Sequence, residues 1–189
     1  HAMDMLSQQV RPESRIGTWI INGGTASNVI PATGELEVTV RHTERDYLNG
    51  LSEQIKQIFE GAALCTGTTV DVEFYGNPYD DMNQNHRGTH LIEDVMTDMG
   101  LDFEPGPADI GGSSDIGNVS YQCAAFHPKL RLAGPDKVCH AKEFADAMLE
   151  PTIEQTIVDG ANIIGGTLLR LVENPTVLEE IVAEFNATK

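Results

Sequence analysis

The sequence predicts a mixed α/β protein in two parts, and three observations carry that reading. Two-residue alternation of apolar and polar side chains runs through Glu35–Arg41 and again through Thr68–Tyr75. Apolar residues recur at helical spacing from Tyr47 to Ala62 and, over a longer stretch, from Ile153 to Val172. Between them, residues 76–85 turn to Asn, Pro, Tyr and Asp, the composition of a crossing between domains. The first part, residues 1–78, reads as an antiparallel sheet with helices on one face. The second domain is residues 79–189.

Taken in order, Met3 to Val10 reads as the tail of a helix, and the turn Arg11-Pro12-Glu13-Ser14 leads into a strand from Arg15 to Ile21. A Gly23-Gly24 turn and a short apolar step closed by Pro31 connect it to a second strand ending at Arg41. Leu36, Val38 and Val40 face one way there, so Glu35, Glu37, Thr39 and Arg41 face the other. Thr43 is placed as a hydroxyl N-cap with Asp46 three residues on, and Gly67 as the stop of the helix that follows. Thr68 to Tyr75 is expected to be a third strand, in a sheet whose first strand is missing. Beyond the crossing come a helix from about Arg87 to Met99 and a turn rich in small residues from Asp109 to Ser120. A strand-like patch from Gln122 to Phe126 precedes a helical region from Phe144. In the long helix Ile153–Val172 the residues read as inward are Ile157, Val158, Ala161, Ile164, Leu168 and Leu171. Gly165-Gly166 signals close packing, and an acidic helix, Thr176–Phe185, ends the chain.

Composition excludes whole classes of function. Twelve Lys and Arg against 29 Asp and Glu give a net charge of −17, which repels nucleic acid and anionic membrane. No apolar run approaches a membrane span, and the N-terminus lacks the basic and apolar regions of a signal peptide. Cys65, Cys123 and Cys139 are odd in number with no C-x-x-C spacing, against both a disulfide framework and a zinc knuckle. They read as buried or incidental, and the expected setting is reducing and cytoplasmic.

Two side chains invite a ligand before any likeness is considered. Arg41 stands on a rigid strand outside the core, and Asn28 in the connecting loop has an amide no ladder consumes; an Asn and an Arg presented together suit a carboxylate. The plainer readings are a turn cap for Asn28 and an exposed pair with Glu35 or Glu37 for Arg41, worth about 0–1 kcal/mol. The backbone amides around Gly112 suit an anion if the turn opens a helix. His140, alone in a loop, is by default surface decoration, as are His42, His86 and His90; His127 before Pro128 reads as structural.

Several motifs in fixed order then carry a resemblance. These are Gly23-Gly24-x-x-x-Asn28-Val29-Ile30-Pro31, Arg41 thirteen residues after Asn28, the run Gly112-Ser113-Ser114-Asp115-Ile116-Gly117-Asn118-Val119-Ser120, His127-Pro128, and His140. Together they resemble the co-catalytic zinc family of aminoacylases, glutamate carboxypeptidases and p-aminobenzoyl-glutamate hydrolases. The likeness is greatest to the branch of p-aminobenzoyl-glutamate hydrolases and β-alanyl-lysine dipeptidase-like enzymes, and covers nearly the whole chain. It implies a ferredoxin-like α+β lid that mediates homodimerisation, residues 1–78, and the C-terminal part of a zinc-peptidase α/β catalytic domain, residues 79–189. It implies that Asn28 and Arg41 grip the free carboxylate of a small peptide or acyl amino acid substrate, with help from the backbone at Gly112, and that His140 is a metal ligand. The implied chemistry is metal-assisted amide hydrolysis with two zinc ions per complete subunit.

The departures define the expectation for this chain. No H-x-D or Glu-Glu pair stands in for the family's other zinc ligands and its general base, so no catalytic residue is assigned here and the chain alone is expected to be inactive, holding no zinc or one weakly. The family branch has a His in the first strand where this sequence has Gly17. Two function classes follow: the lid and rear wall of a metal-dependent amidohydrolase or dipeptidase, or a non-catalytic dimerisation or ligand-binding module of the same descent.

Overall fold

A computed structural model describes residues 1–105, 112–134 and 137–188. The chain is mixed α/β and divides into two compact units, His1–Asp81 and Met82–Lys189.

In the first unit, helix α1 (Ala2–Ser7) precedes strands β1 (Arg15–Asn22) and β2 (Glu35–Arg41), which pair antiparallel, and helix α2 (Arg45–Thr66) closes one face. The register sets Arg15 opposite Arg41, Gly17 opposite Thr39 and Trp19 opposite Glu37, with an irregularity between Ile20 and Asn22. Ile16, Val38 and Val40 turn toward α2 and pack on Leu6, Leu51 and Ile55, which form the core of the unit. Strand parity therefore sends Arg15, Gly17, Trp19, Glu37, Thr39 and Arg41 to the other, open face. Gly24 makes the connecting loop possible. Its φ of 107° is open to few other residues, and a Cβ there would meet Pro31 Cγ at 2.7 Å.

Helix α2 begins one residue later than its sequence signal. The N-cap is Glu44, with no side-chain capping bond; instead His42 Nδ1 accepts the Glu44 N–H at 2.9 Å. The His42 ring leans on Tyr47, over which Arg11 also lies, so His42 is a structural residue of this junction and not surface decoration. Gly67 ends the helix in the left-handed conformation, φ 69°, as its position predicts. Thr68–Tyr75, in contrast, forms no strand. Alternation gives a segment the capacity to be half-buried in a sheet, but a strand also needs a neighbouring backbone, and among the described residues none pairs with it. The segment 79–81 is tied back to the start of α2: Arg45 bonds Asp80 Oδ1 at 2.6 Å and the Tyr79 carbonyl at 3.3 Å.

In the second unit, α3 (His86–Asp98), α6 (Thr152–Glu173) and α7 (Pro175–Thr188) pack together, with the short helices α4 (Ile116–Ser120) and α5 (Lys142–Ala147) beside irregular chain. Leu91 meets Val177 and Ile181, while Ile92 and Met96 meet Ile163. Two glycines set the closeness of this packing. A Cβ on Gly88 would fall 1.8 Å from the Phe126 ring, and one on Gly166 would come 3.0 Å from Val95, whereas Gly165 touches nothing. Asn85, 3% exposed, joins α3 to α7: its Oδ1 accepts from Gly88 N–H and its Nδ2 donates to the Ile181 carbonyl, both at 2.9 Å.

Three further expectations are corrected. Gln122–Phe126 is not a strand; Gln122 and Cys123 fold back to bond the Val119 carbonyl, and Phe126 serves as the wedge against Gly88. The cysteines are exposed, not buried. In α6 the buried residues are Ile153, Ile163 and Thr167, while Ile157, Val158, Ile164 and Leu168, read as inward, lie open. This helix is apolar on more than one side, and the unit covers the narrower stripe.

Candidate functional site

Each of the four residues singled out from the sequence has a definite setting, Asn28 and Arg41 in the first unit and Gly112 and His140 in the second. Arg41 is the last residue of β2, on the open face of the sheet. Directly across from it stands Arg15, and two like charges at facing positions repel. The conflict is resolved by Arg15, whose Nη1 donates to the carbonyls of Pro12 at 2.6 Å and Ser14 at 2.8 Å. Arg41 itself makes no hydrogen bond or ion pair among the described residues, Glu35 and Glu37 included. It is a guanidinium fixed at its base by a strand and free at its tip, which suits a bidentate anion.

Asn28 occupies a turn in the exposed loop, residues 23–34, that joins the two strands. The loop is shaped by other groups: the Asn22 side chain accepts from Gly24 N–H at 3.0 Å, and Val29 N–H bonds the Ala26 carbonyl. Asn28 is thus not spent as a cap, and its amide has no partner among the described residues.

Gly112 borders the stretch 106–111, so the Asp109-Ile110-Gly111 part of its turn lies outside the described residues. The helix that opens after it is only five residues long, and Asp115 makes no capping bond there. A cationic neighbour is present instead: a Cβ built on Gly112 would sit 3.9 Å from Lys129 Nζ. The sequence pattern does not show this ammonium, because Lys129 follows His127-Pro128 with no periodicity of its own.

His140 is exposed and is the only described residue besides glycine with a positive φ, 69°. A non-glycine residue held in the left-handed region costs about 1–2 kcal/mol, and such residues gather at functional sites. Its motif and its backbone single it out independently. It is a lone donor, however. Among the described residues no group of three His, Cys, Asp or Glu converges where a metal ion would sit, so these residues do not by themselves fit a zinc site.

Glu37 lies near enough to Tyr75 to act on it: favouring the protonated phenol as a hydrogen-bond acceptor, with partial desolvation and the Glu37 charge, it raises Tyr75 above the ordinary value of 10.0. In the second unit, desolvation alone would raise the Glu184 carboxyl, but the backbone N–H groups of Arg87 and His86 and the charges of His86 and His90 outweigh it and hold Glu184 below its ordinary 4.5. This carboxylate sits on the N-terminus of α3, where orphan donors and the helix dipole favour it.

No family model matches the chain. Individual relatives do. It is 28% identical over 186 residues, 97% of its length, to a protein of Mus musculus named Xaa-Arg dipeptidase, and 26% identical over 189 residues to the Homo sapiens protein of that name. It is 29% identical over 86 residues, 46% of its length and 20% of the relative's, to a p-aminobenzoyl-glutamate hydrolase homolog of Haemophilus influenzae. The chain is thus similar to proteins named as dipeptidases and amidohydrolases, in keeping with the metallopeptidase family that its motifs resemble. It spans less than half the length of the two dipeptidases, 43% and 42%. No helix among the described residues is long and apolar enough to cross a membrane.

Proposed function

We propose that the chain is part of a zinc-dependent amidohydrolase or dipeptidase that cleaves an amide or peptide bond next to an amino acid with a free carboxylate, such as p-aminobenzoyl-glutamate or a dipeptide. One observation carries this reading: Arg41 presents an unpaired guanidinium on an open, rigid strand, while the neighbouring arginine is bound to carbonyls. In this reading Asn28 and Arg41 take the carboxylate, the backbone at Gly112 is a substrate-binding element of the second unit, and His140 supplies one zinc ligand. The first unit is the homodimerising lid, and the second belongs to the catalytic domain. A cytoplasmic setting goes with this reading.

Two zinc ions per complete subunit belong to the proposal, and the other ligands and the general base are not assigned among these residues. The described residues bind and orient; no bond-breaking step is derived from them. The absence of a converging donor group among them favours one second reading, a non-catalytic ligand-binding or dimerisation module with the same carboxylate grip.

The test compares an N-acyl amino acid with its C-terminal amide, each titrated into the chain and followed by NMR at the Arg41 and Asn28 side chains. The free acid is expected to shift both, and Arg41→Ala to abolish the response. Equal responses to acid and amide would sink the carboxylate role.

A further inference from the structure

We infer that Asn22 is a site of spontaneous deamidation, its side chain closing on the Gly23 nitrogen to give a succinimide and then an aspartyl or isoaspartyl linkage.

The chain has two Asn-Gly pairs, Asn22-Gly23 and Asn49-Gly50. A glycine after the asparagine leaves the attacking backbone nitrogen unshielded by a Cβ, so both pairs are candidates by sequence. Structure separates them. Asn22 is the last residue of β1, exposed and next to the irregularity in the ladder, and Gly23 opens the loop 23–34. The Gly23 N–H has no hydrogen bond among the described residues, so neither ladder nor turn holds its proton. Asn49 lies inside α2, where the Gly50 N–H is spent in the helical ladder and the Asn49 side chain accepts from Arg45 Nε at 3.0 Å.

The groups around Asn22 also suit the reaction. Its Oδ1 accepts the Gly24 N–H at 3.0 Å, an Asx turn that folds the side-chain carbonyl over the peptide joining Asn22 to Gly23. In the step, the Gly23 nitrogen gives its proton to hydroxide and bonds to Asn22 Cγ, and the carbonyl electron pair moves onto Oδ1. That oxygen already faces the Gly24 N–H, so a donor stands in place for the charge as it develops. Gly24 holds the N–H there through its left-handed φ of 107°. The Cγ–Nδ2 bond then breaks, and ammonia leaves with a proton from water. Water opens the succinimide at either carbonyl: at Cγ it restores the main chain with an aspartyl side chain, and at the backbone carbon it leaves Gly23 linked through Cγ as isoaspartate. The net change is an amide and water becoming a carboxylate and ammonium. Both products set a new carboxylate across from Glu35, the ladder partner of Asn22, and facing like charges repel. The isoaspartyl form also adds a methylene to the main chain at the joint of the loop that carries Asn28.

The full chain is aged in mildly alkaline buffer while peptide mapping by mass spectrometry follows both amides. An isoaspartate-specific methyltransferase with S-adenosylmethionine counts the rearranged product. Asn22 is expected to lose its amide about tenfold faster than Asn49 in the folded chain, with isoaspartate formed at Asn22. In urea, with α2 unfolded, the two rates should come within about twofold of each other. Gly23→Ala should slow the loss at Asn22 about tenfold. The turn tolerates this change, because Gly23 has no positive φ and its Cβ would come 3.3 Å from Ile20 Cγ2, the end of a flexible side chain. Equal rates at the two sites in the folded chain, or an Asn22 amide that outlasts that of Asn49, would overturn the inference. So would a parental rate in Gly23→Ala, since the attack would not then run through the Gly23 nitrogen. A tenfold gap that survives in urea would assign the difference to sequence and overturn the structural argument.

Discussion

Helices α2 and α6 are both 22 residues long, yet they meet different demands. In α2 the apolar residues form one stripe, and Leu51 and Ile55 bury it against α1 and the sheet while the polar face stays in water. In α6 the stripe that packs within the unit is Ile153, Ile163 and Thr167, and a second apolar face, Ile157, Ile164, Leu168 and Val172, is left open at 58–78% exposure. A helix that is apolar around most of its circumference belongs to an interior, and a chain in water leaves such a face bare only where something else covers it. The difference shows what periodicity measures: it records that a side is apolar, not which neighbour makes it so.

Alanine substitutions break that comparison most sharply. Leu51→Ala in α2 and Ile163→Ala in α6 should each cost about 3 kcal/mol in chemical denaturation, since both remove fully packed side chains. Ile164→Ala, one residue along the same helix, should cost no more than about 0.5 kcal/mol. A loss at Ile164 equal to that at Ile163 would mean that the open face is covered in solution. Gly88→Ala belongs with the large effects. Its Cβ would stand inside the Phe126 ring, and displacing that wedge should cost about 2–3 kcal/mol.

A smaller effect separates the ends of the helices instead of their faces. The N-terminus of α2 gives one N–H to an acidic side chain, Arg45 N–H donating to Asp81 Oδ1 at 3.3 Å, while that of α3 gives two N–H groups to Glu184 of α7, each at 2.8 Å. Because the folded carboxyl titrates below its ordinary value, its stabilisation is fully present above pH 4.5 and is lost as the pH falls through the lowered value. Glu184→Gln should therefore be less stable than the parent at pH 7, by at most about 1 kcal/mol for so solvent-open a carboxyl, with the gap closing as the pH falls below 4.5. Thermal unfolding across that range checks it, and a gap independent of pH would assign the loss to packing.

Much of this was legible in the sequence, within limits that have physical causes. The extent of α2 and its Gly67 stop, the parity of β2, and the place of Arg41 outside the core follow from local periodicity and glycine chemistry. The pairing of Arg41 with Arg15, and of Trp19 with Glu37, does not. A twelve-residue loop, 23–34, separates the strands, and a loop of that length sets no register. Likewise Thr68–Tyr75 has the alternation of a strand but no partner among the described residues, and a partner is a property of another segment. Asn28 and Arg41 stood out from local pattern as a pair suited to a carboxylate, each with an ordinary reading beside it, whereas His140 stood out only because the family resemblance ordered it, and its left-handed backbone has no sequence signal at all.

That backbone supplies an effect well below the core losses and the one that separates structural from functional strain. His140→Gly removes both the imidazole and the steric cost of φ 69°, whereas His140→Ala removes the imidazole and keeps the cost. Glycine should therefore be more stable than alanine by about 1 kcal/mol, and more stable than the parent histidine, whose exposed side chain has no stabilising partner among the described residues. Zinc titration gives the second axis. The parent chain should take up at most one weakly held ion, and both variants should lose it; two tightly held ions would instead mean that donors besides His140 complete a site. If glycine gains stability while zinc uptake falls, the turn at His140 keeps a strained conformation that folding does not need, the relation expected where geometry is selected for a ligand.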